Sequence, residues 1–256
     1  MRAVVHEFNS EQISILPIGD LHIGAEGSRF QEALKLIEKH KDAKLLFLGD
    51  LVNNSLTHSV GDIYSELENP QSQLHYVKEL FYNNKDRILG VVLGNHERRS
   101  WRQVGLDPTA MLCELFGIPY AEDILLVDVS LKFEQKRLRG SKRRTNYIIA
   151  ITHGAAGGRF PEKSARQHRY FKDMFFGDVD IFITGHTHVP TFTKLSGYVY
   201  DKRNKVISQH DIYNITIPAW LNERYAREHL LPPTPQGMFL INLYAKSEKT
   251  IEILSV

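Results

Sequence analysis

Five short stretches of this chain share one construction: a run of apolar residues that stops at Asp, Asn or His with a glycine alongside. Residues 13–18 lead into Gly19-Asp20, 45–48 into Gly49-Asp50, 88–93 into Gly94-Asn95, 147–152 into His153-Gly154 and 181–184 into Gly185-His186. Runs this short and this uniformly apolar read as buried strands that end in functional loops. Between the first two, Phe30, Ala33, Leu34 and Ile37 recur at helical spacing, and Leu74, Val77, Leu80 and Phe81 do so before the third. The resulting order of strand, helix, strand, helix, strand predicts parallel strands joined by crossover helices, an α/β layer architecture. A further helix is expected over 164–176. Beyond Pro190 the runs 192–200, 206–208, 212–217, 238–244 and 250–254 predict an antiparallel tail.

Composition narrows the class. Of 256 residues, 42% are hydrophobic and 24% charged, the balance of an ordinary globular chain, which excludes disorder and fibre. Neither a repeat nor a long linker divides it, so residues 1–256 are expected to form one domain. The formal charge is only +2, so any affinity for nucleic acid must come from local basic segments. The single cysteine, Cys113, lies in an apolar stretch and reads as a buried helix residue in a reducing compartment. No stretch is apolar enough to span a membrane, and the first residues lack a signal pattern. A cytoplasmic protein with no membrane partner is expected.

The strand ends carry the chemistry. They should lie along one edge of the sheet, where open α/β folds place their sites. The loops are Gly19-Asp20-Leu21-His22, Gly49-Asp50, Gly94-Asn95-His96-Glu97, His153-Gly154 and Gly185-His186-Thr187-His188. A lone Gly-Asp is usually a turn and a lone His usually a core residue, but five such loops in register point to a ligand set. In extended backbone, residues i and i+2 point the same way, so Asp20 with His22, and His186 with His188, can converge on an ion. Glycine beside each ligand permits unusual φ and close backbone approach. Oxygen and imidazole donors without thiolate suit Mn, Fe, Zn or Co better than Mg, Ca or a structural zinc site.

In this order the blocks resemble the calcineurin-like metallophosphoesterase superfamily, whose signature runs D-x-H, G-D, G-N-H-[DE], H and G-H-x-H. The resemblance covers residues 19–188. It implies a four-layer α/β/β/α sandwich with a dinuclear metal site at the strand ends, taking two divalent metal ions, Mn first among the candidates. Asp20, His22 and His188 would hold one ion, Asn95, His153 and His186 the other, and Asp50 would bridge them. His96 would face a phosphate-ester substrate as general acid or phosphate contact. Two cations roughly 3.5–4 Å apart can activate a shared water and stabilise both oxygens of an in-line displacement.

Substrate class is written less plainly. Glu97 matches protein serine/threonine phosphatases, yet Gly49-Asp50-Leu51-Val52-Asn53-Asn54 lacks their Asp-Arg-Gly ending. Gly19-Asp20-Leu21-His22-Ile23-Gly24 is similar to the opening of DNA-repair exonucleases, which usually carry Asp after Asn-His. Arg98 and Arg99, with Arg102 beyond, offer guanidinium forks for phosphate oxygens. Segment 154–160 with Lys163, Arg166, His168 and Arg169 could close over a polyanion. Segment 220–227 could stack bases, and the basic stretch 132–144 could meet nucleic acid or form a solvated hairpin loop. The reading is a phosphodiesterase or nuclease acting on nucleic acid or nucleotides. The alternative is a phosphomonoesterase, and the complete ligand set argues against a non-catalytic scaffold.

Overall fold

A strand that no apolar run announces opens the chain: β1 (Arg2–Phe8) alternates exposed with half-buried residues. The computed structural model describes residues 1–56, 66–134, 142–155, 161–175, 179–222, 227, 237–246 and 248–256. After β1 come β2 (Gln12–Ile18), α1 (Phe30–Lys39), β3 (Lys44–Phe47), α2 (Pro70–Asn84) and β4 (Ile88–Val92), the alternation expected from the sequence. Two helices that the spacing did not delimit follow, α3 (Glu97–Val104) and α4 (Pro108–Phe116). The second half contains β5 (Tyr120–Ala121), β6 (Ile124–Glu134), β7 (Lys142–Thr152), α5 (Pro161–Asp173) and β8 (Ile181–Thr184). It closes with β9 (Thr191–Asp201), β10 (Val206–Thr216), β11 (Phe239–Tyr244) and β12 (Thr250–Ser255).

Local chemistry explains where the helices begin. Asn69 accepts a hydrogen bond from Ser72 N and Asp107 one from Ala110 N, and a proline follows each cap. Cys113 is buried on α4, as its apolar neighbours imply.

Among the described residues the strands form two six-stranded sheets, ordered β12-β11-β2-β3-β4-β5 and β1-β6-β7-β8-β10-β9. Pairing is parallel across β2, β3, β4 and β5, as the crossover helices require. The antiparallel tail is divided between the sheets. β9 and β10 extend the sheet of β7 and β8, whereas β11 and β12 extend that of β2. Residues 206–208 and 212–217, two runs in the sequence, fuse into the single strand β10.

The sheets face each other. In β6, Leu125, Val127, Val129 and Leu131 are fully buried in the core they share with Ile15, Leu45 and Val91, while Ile124 faces outward to α5. That outer layer is a cluster of Ile124, Ala150, Phe171, Val179 and Phe182. Helices α1, α2 and α4 cover the other sheet through Ala33, Ile37, Val77, Phe81 and Cys113. The α/β/β/α sandwich is thus formed. No described helix is long and apolar enough to cross a membrane.

His168 on α5 turns inward, not toward a polyanion: its Nε2 lies 2.9 Å from Thr216 Oγ1, and its Nδ1 has no partner among the described residues. Burial lowers its pKa to about 4, so it is neutral when folded, whereas in the unfolded chain it titrates near ~6.5. Between those values the unfolded state binds more protons, so this contribution is complete above the unfolded pKa and is lost as pH falls. We expect urea-unfolding free energies to drop below pH 6.5 with a share from His168 of up to ~1.4 kcal/mol per pH unit. His168→Gln should flatten that slope. An unaltered slope in the variant would contradict the assignment.

Candidate metal centre

The C-terminal ends of β2, β3, β4, β7 and β8 meet at one edge of the sandwich and deliver all seven expected ligand residues there. Asp20, His22, Asp50 and Asn95 come from one sheet. His153, His186 and His188 come from the other. The loops are laced together by backbone bonds, with Asp20 N donating to Gly49 O at 2.9 Å, His22 N to Asp50 O at 3.0 Å and Ile23 N to Leu51 O at 2.9 Å.

Strain in these loops sits on the ligands themselves. The ligands Asp20, His22, Asp50, His186 and His188, and the neighbouring Asn54, have positive φ, between 44° and 68°, a region that costs a non-glycine residue energy and marks functional sites. The glycines divide between two tasks. A Cβ on Gly94 would meet Asp50 N at 2.1 Å and Asp50 Oδ1 at 2.2 Å, and one on Gly185 would meet Asp20 Oδ2 at 2.4 Å. Those two positions serve close approach, whereas Gly49 and Gly154, with φ of 80° and 104°, supply the unusual φ, so both uses expected of the glycines occur, divided between positions.

Three groups of donor atoms lie within 4.8 Å of one another: Asp20, His22 and His188; Asp50, His153 and His186; and His22, Asp50 and His96. Asn95 joins the second group through its Oδ1, 2.8 Å from His153 Nε2. Asp50 stands between the groups, belonging to one with His153 and to another with His22. Its Oδ2 is 3.2 Å from His153 Nε2 and 3.8 Å from His96 Nε2.

Charge balance favours cations here. Asp20 and Asp50 are at most 1% exposed, and removing a carboxylate from water costs several kcal/mol unless compensated. Burial opposes ionisation of Asp50, but the charges of His153 and His96 outweigh it and hold the carboxyl well below its ordinary value. Burial likewise works against a charge on His153, yet Asp50 and Asp20 raise its pKa to about 10. Burial pushes His22 down to about 3 and lowers His96 and His186 below the ordinary imidazole value. Two buried carboxylates with imidazole nitrogens and one amide oxygen, and no thiolate, fit divalent cations of the first transition row, where a cation would replace the proton that the carboxylates hold on His153.

His96 is held in one tautomer. Its Nδ1 is 2.6 Å from Asn53 O, which fixes the proton there, and its Nε2 accepts from Arg99 Nη2 at 3.0 Å. Arg99 also donates to Asn53 O at 2.8 Å, so its guanidinium props His96 and the loop after Asp50. Arg98 lies elsewhere. It donates to Glu122 O at 2.6 Å and lines a groove of about 940 Å³ that opens beside Asn95, His153 and His186.

Residue types alone do not reveal three supports. Glu97 is buried and points away from the centre: Oε2 accepts from Asp50 N at 3.0 Å, and Oε1 from Leu51 N at 2.6 Å and Val52 N at 3.2 Å. Burial and the Asp50 charge push its pKa up to about 7, against the pull of those N–H donors. Asn54 donates to His96 O at 2.8 Å and Ser100 Oγ at 3.0 Å, and its own N–H is accepted by buried Gln73 at 2.9 Å. The signal for Gln73 was a polar residue at the start of the buried α2 stripe Gln73, Val77, Leu80 and Phe81.

The remaining basic and aromatic segments divide. Trp220 is in the core, its backbone N–H donating to Asp20 O at 3.0 Å, while Arg224 and Tyr225 lie outside the described residues, as do 156–160 and the Pro-rich 231–235. Of the stretch 132–144, residues 135–141 lie outside them too. Lys132 and Arg144, which are described, both pair with Glu7 at 2.6 and 2.9 Å. They sit eight residues along β6 and β7 from the Ile124–Thr152 pair beside the centre, or about 26 Å at ~3.3 Å per residue.

A family model described as calcineurin-like phosphoesterase matches residues 13–190, a span that holds all five loops. A solved structure of YfcE, a phosphoesterase from E. coli, aligns over 95% of this chain and 100% of its own at 14% identity, with a TM-score of 0.42. No curated protein matches this sequence. With more than half its length and every ligand-bearing loop inside the family match, the chain belongs to the calcineurin-like phosphoesterase family and is a metal-dependent phosphoesterase.

Proposed function

We propose that this chain, acting as one catalytic domain over residues 1–256, hydrolyses phosphodiesters of nucleic acid or nucleotides. Asp20, His22 and His188 would hold one divalent ion and Asn95, His153 and His186 a second, with Asp50 shared and Mn first among the candidate metals. The observation that carries the diester reading is the 940 Å³ groove, which begins at Asn95, His153 and His186 and is walled by Arg98, Arg102, Lys163 and Arg166. A diester needs room for a second ester arm beside the reacting phosphorus. A monoester phosphatase needs no such basic track. Glu97, the residue that favoured a protein phosphatase, is occupied with the backbone of the Asp50 loop and does not face the substrate side.

When bound, the ions supply Lewis-acid neutralisation of phosphoryl charge and activate water. Hydrolysis forms one P–O bond to water oxygen and breaks the P–O bond to the departing alkoxide, which must gain a proton. His96 Nε2 faces Asp50 and His22 across the centre. As an acceptor from Arg99 it is a neutral base, and it must first take up a proton before giving one to a leaving group. Arg99 and the Asn53 carbonyl fix the ring for that exchange. Asn95 keeps the groove end of the centre free of extra negative charge.

The test compares bis-p-nitrophenyl phosphate with p-nitrophenyl phosphate after chelation and addition of Mn. A higher kcat/KM on the diester supports the reading. Brisk turnover of the monoester with little on the diester would establish the phosphomonoesterase instead.

A further inference from the structure

The groove has two helical walls. On α3 the residues facing it are Arg98 and Arg102, four apart, and on α5 they are Lys163, Arg166 and Tyr170, with Met174 one residue past its end continuing the spacing of three and four. From Lys163 to Tyr170 the α5 stripe rises about 10 Å at ~1.5 Å per residue. Its floor is the ends of β6 and β7, at Ile124 and Thr152, with Phe171 buried beneath. One end opens on Asn95, His153 and His186.

The chemistry changes along its length. Cations lie on both walls, and Lys163 and Arg166 stand at the start of α5, where Ser164 Oγ lies 2.8 Å from the Oγ1 of Thr187, between His186 and His188. Tyr170 and Met174, 56% and 57% exposed, present apolar surface beyond them. Arg166 Nε donates to Tyr170 Oη at 3.0 Å and its guanidinium lies over the ring, 5.4 Å from the centroid, so charge and aromatic face are held as one unit. Two acids share the groove: Asp123, paired with the N-terminal ammonium at 2.7 Å, and Glu122. Four cations against these leave it positive.

From this arrangement we infer that the groove seats the single-stranded flank of a nucleic-acid substrate. Arg98, Arg102, Lys163 and Arg166 take backbone phosphates next to the scissile one, and an unpaired base stacks on Tyr170 with Met174 beside it. This rests on the phosphodiester reading above. Charge complementarity selects a polyanion, and the exposed aromatic selects one with flat, unpaired faces, which a duplex keeps stacked internally. A strand laid along α5 would deliver its scissile phosphate to the open end at His153 and His186.

The experiment measures binding of labelled single-stranded, duplex and abasic oligonucleotides across a salt series. It is run on the full chain with Mn in a His96→Ala background, alongside cleavage by the chain with His96 intact. The expected results are tighter binding of single strand than duplex, and a log–log salt slope that falls by about 0.7 in each of Arg102→Ala and Lys163→Ala. Tyr170→Ala should weaken the intact strand about tenfold and leave the abasic strand unaffected. Circular dichroism of each variant confirms the fold, and Tyr170→Phe should restore affinity if stacking is the cause. Slopes unchanged in both basic-residue variants, or equal loss with Tyr170→Ala on abasic and intact strands, would overturn the groove assignment while oligonucleotide cleavage left the phosphodiester reading standing. Duplex binding equal to single-strand binding would overturn the single-strand assignment. Failure to hydrolyse any diester, bis-p-nitrophenyl phosphate included, would overturn the underlying reading and this inference with it.

Discussion

Asp50→Asn is expected to lower phosphodiester hydrolysis by more than ~100-fold, beyond the range for losing a residue that merely supports a ligand. Asp50 is where the two halves of the centre meet. Its Oδ1 accepts from His96 N at 2.9 Å, its Oδ2 lies 3.2 Å from His153 Nε2, and its carboxylate belongs to ligand groups with His22 on one side and His153 on the other. The amide keeps the size but replaces one oxygen with an NH2 that cannot bind a cation and that opposes other donors. The fold should survive, because Glu97 grips the Asp50 backbone and not its side chain. Steady-state kinetics on bis-p-nitrophenyl phosphate with Mn, paired with thermal unfolding, separates the two effects. Activity close to that of the original chain would show that Asp50 is not shared between ions.

The second large effect is expected at His96. His96→Ala should cut turnover by roughly 10²–10⁴-fold, the range for a positioned acid or base, with metal content unchanged. The ring is poised for exchange at Nε2 alone, since Nδ1 is committed to Asn53 O. A leaving group that needs no proton should lose less than one that does. Leaving groups of different pKa, p-nitrophenol against a simple alcohol, read this directly. Equal losses on both would assign His96 to phosphate positioning. Loss of metal would place it among the ligands, as its proximity to His22 and Asp50 allows.

Much of this was legible because strand ends in an α/β sheet carry two signals at once. Apolar runs such as 45–48 mark the strand, and the glycine and ligand that follow mark the loop. β1 was not legible, because a half-exposed edge strand has no apolar run. Nor was β6, which none of the runs named above marks, or the first half of β7, which lies in the basic stretch. The stripe of α2 was legible at Val77, Leu80 and Phe81, with Leu74 packed against the same core, but Gln73 was not, because a polar residue carries no apolar signal even where it is buried.

Within the site, residue types gave the ligands, but not the direction in which neighbours turn. Glu97 and His96 are adjacent in sequence, yet α3 begins between them, sending Glu97 under the Asp50 loop and His96 across the centre. The same turn sends Arg99 beneath His96 and Arg98 into the groove. The positive φ of Asp20, His22, Asp50, His186 and His188 was invisible too. It arises from tertiary closure of five loops around one point, and Asp and His tolerate it better than β-branched residues would.

Metal stoichiometry tests the central claim most directly. The chain would be stripped with chelator, dialysed to equilibrium against Mn and analysed for bound metal together with protein concentration. About two ions per chain are expected, falling below one in Asp50→Asn. A plateau at one ion or none in the unaltered chain would contradict a dinuclear centre built by Asp20, His22, Asp50, Asn95, His153, His186 and His188.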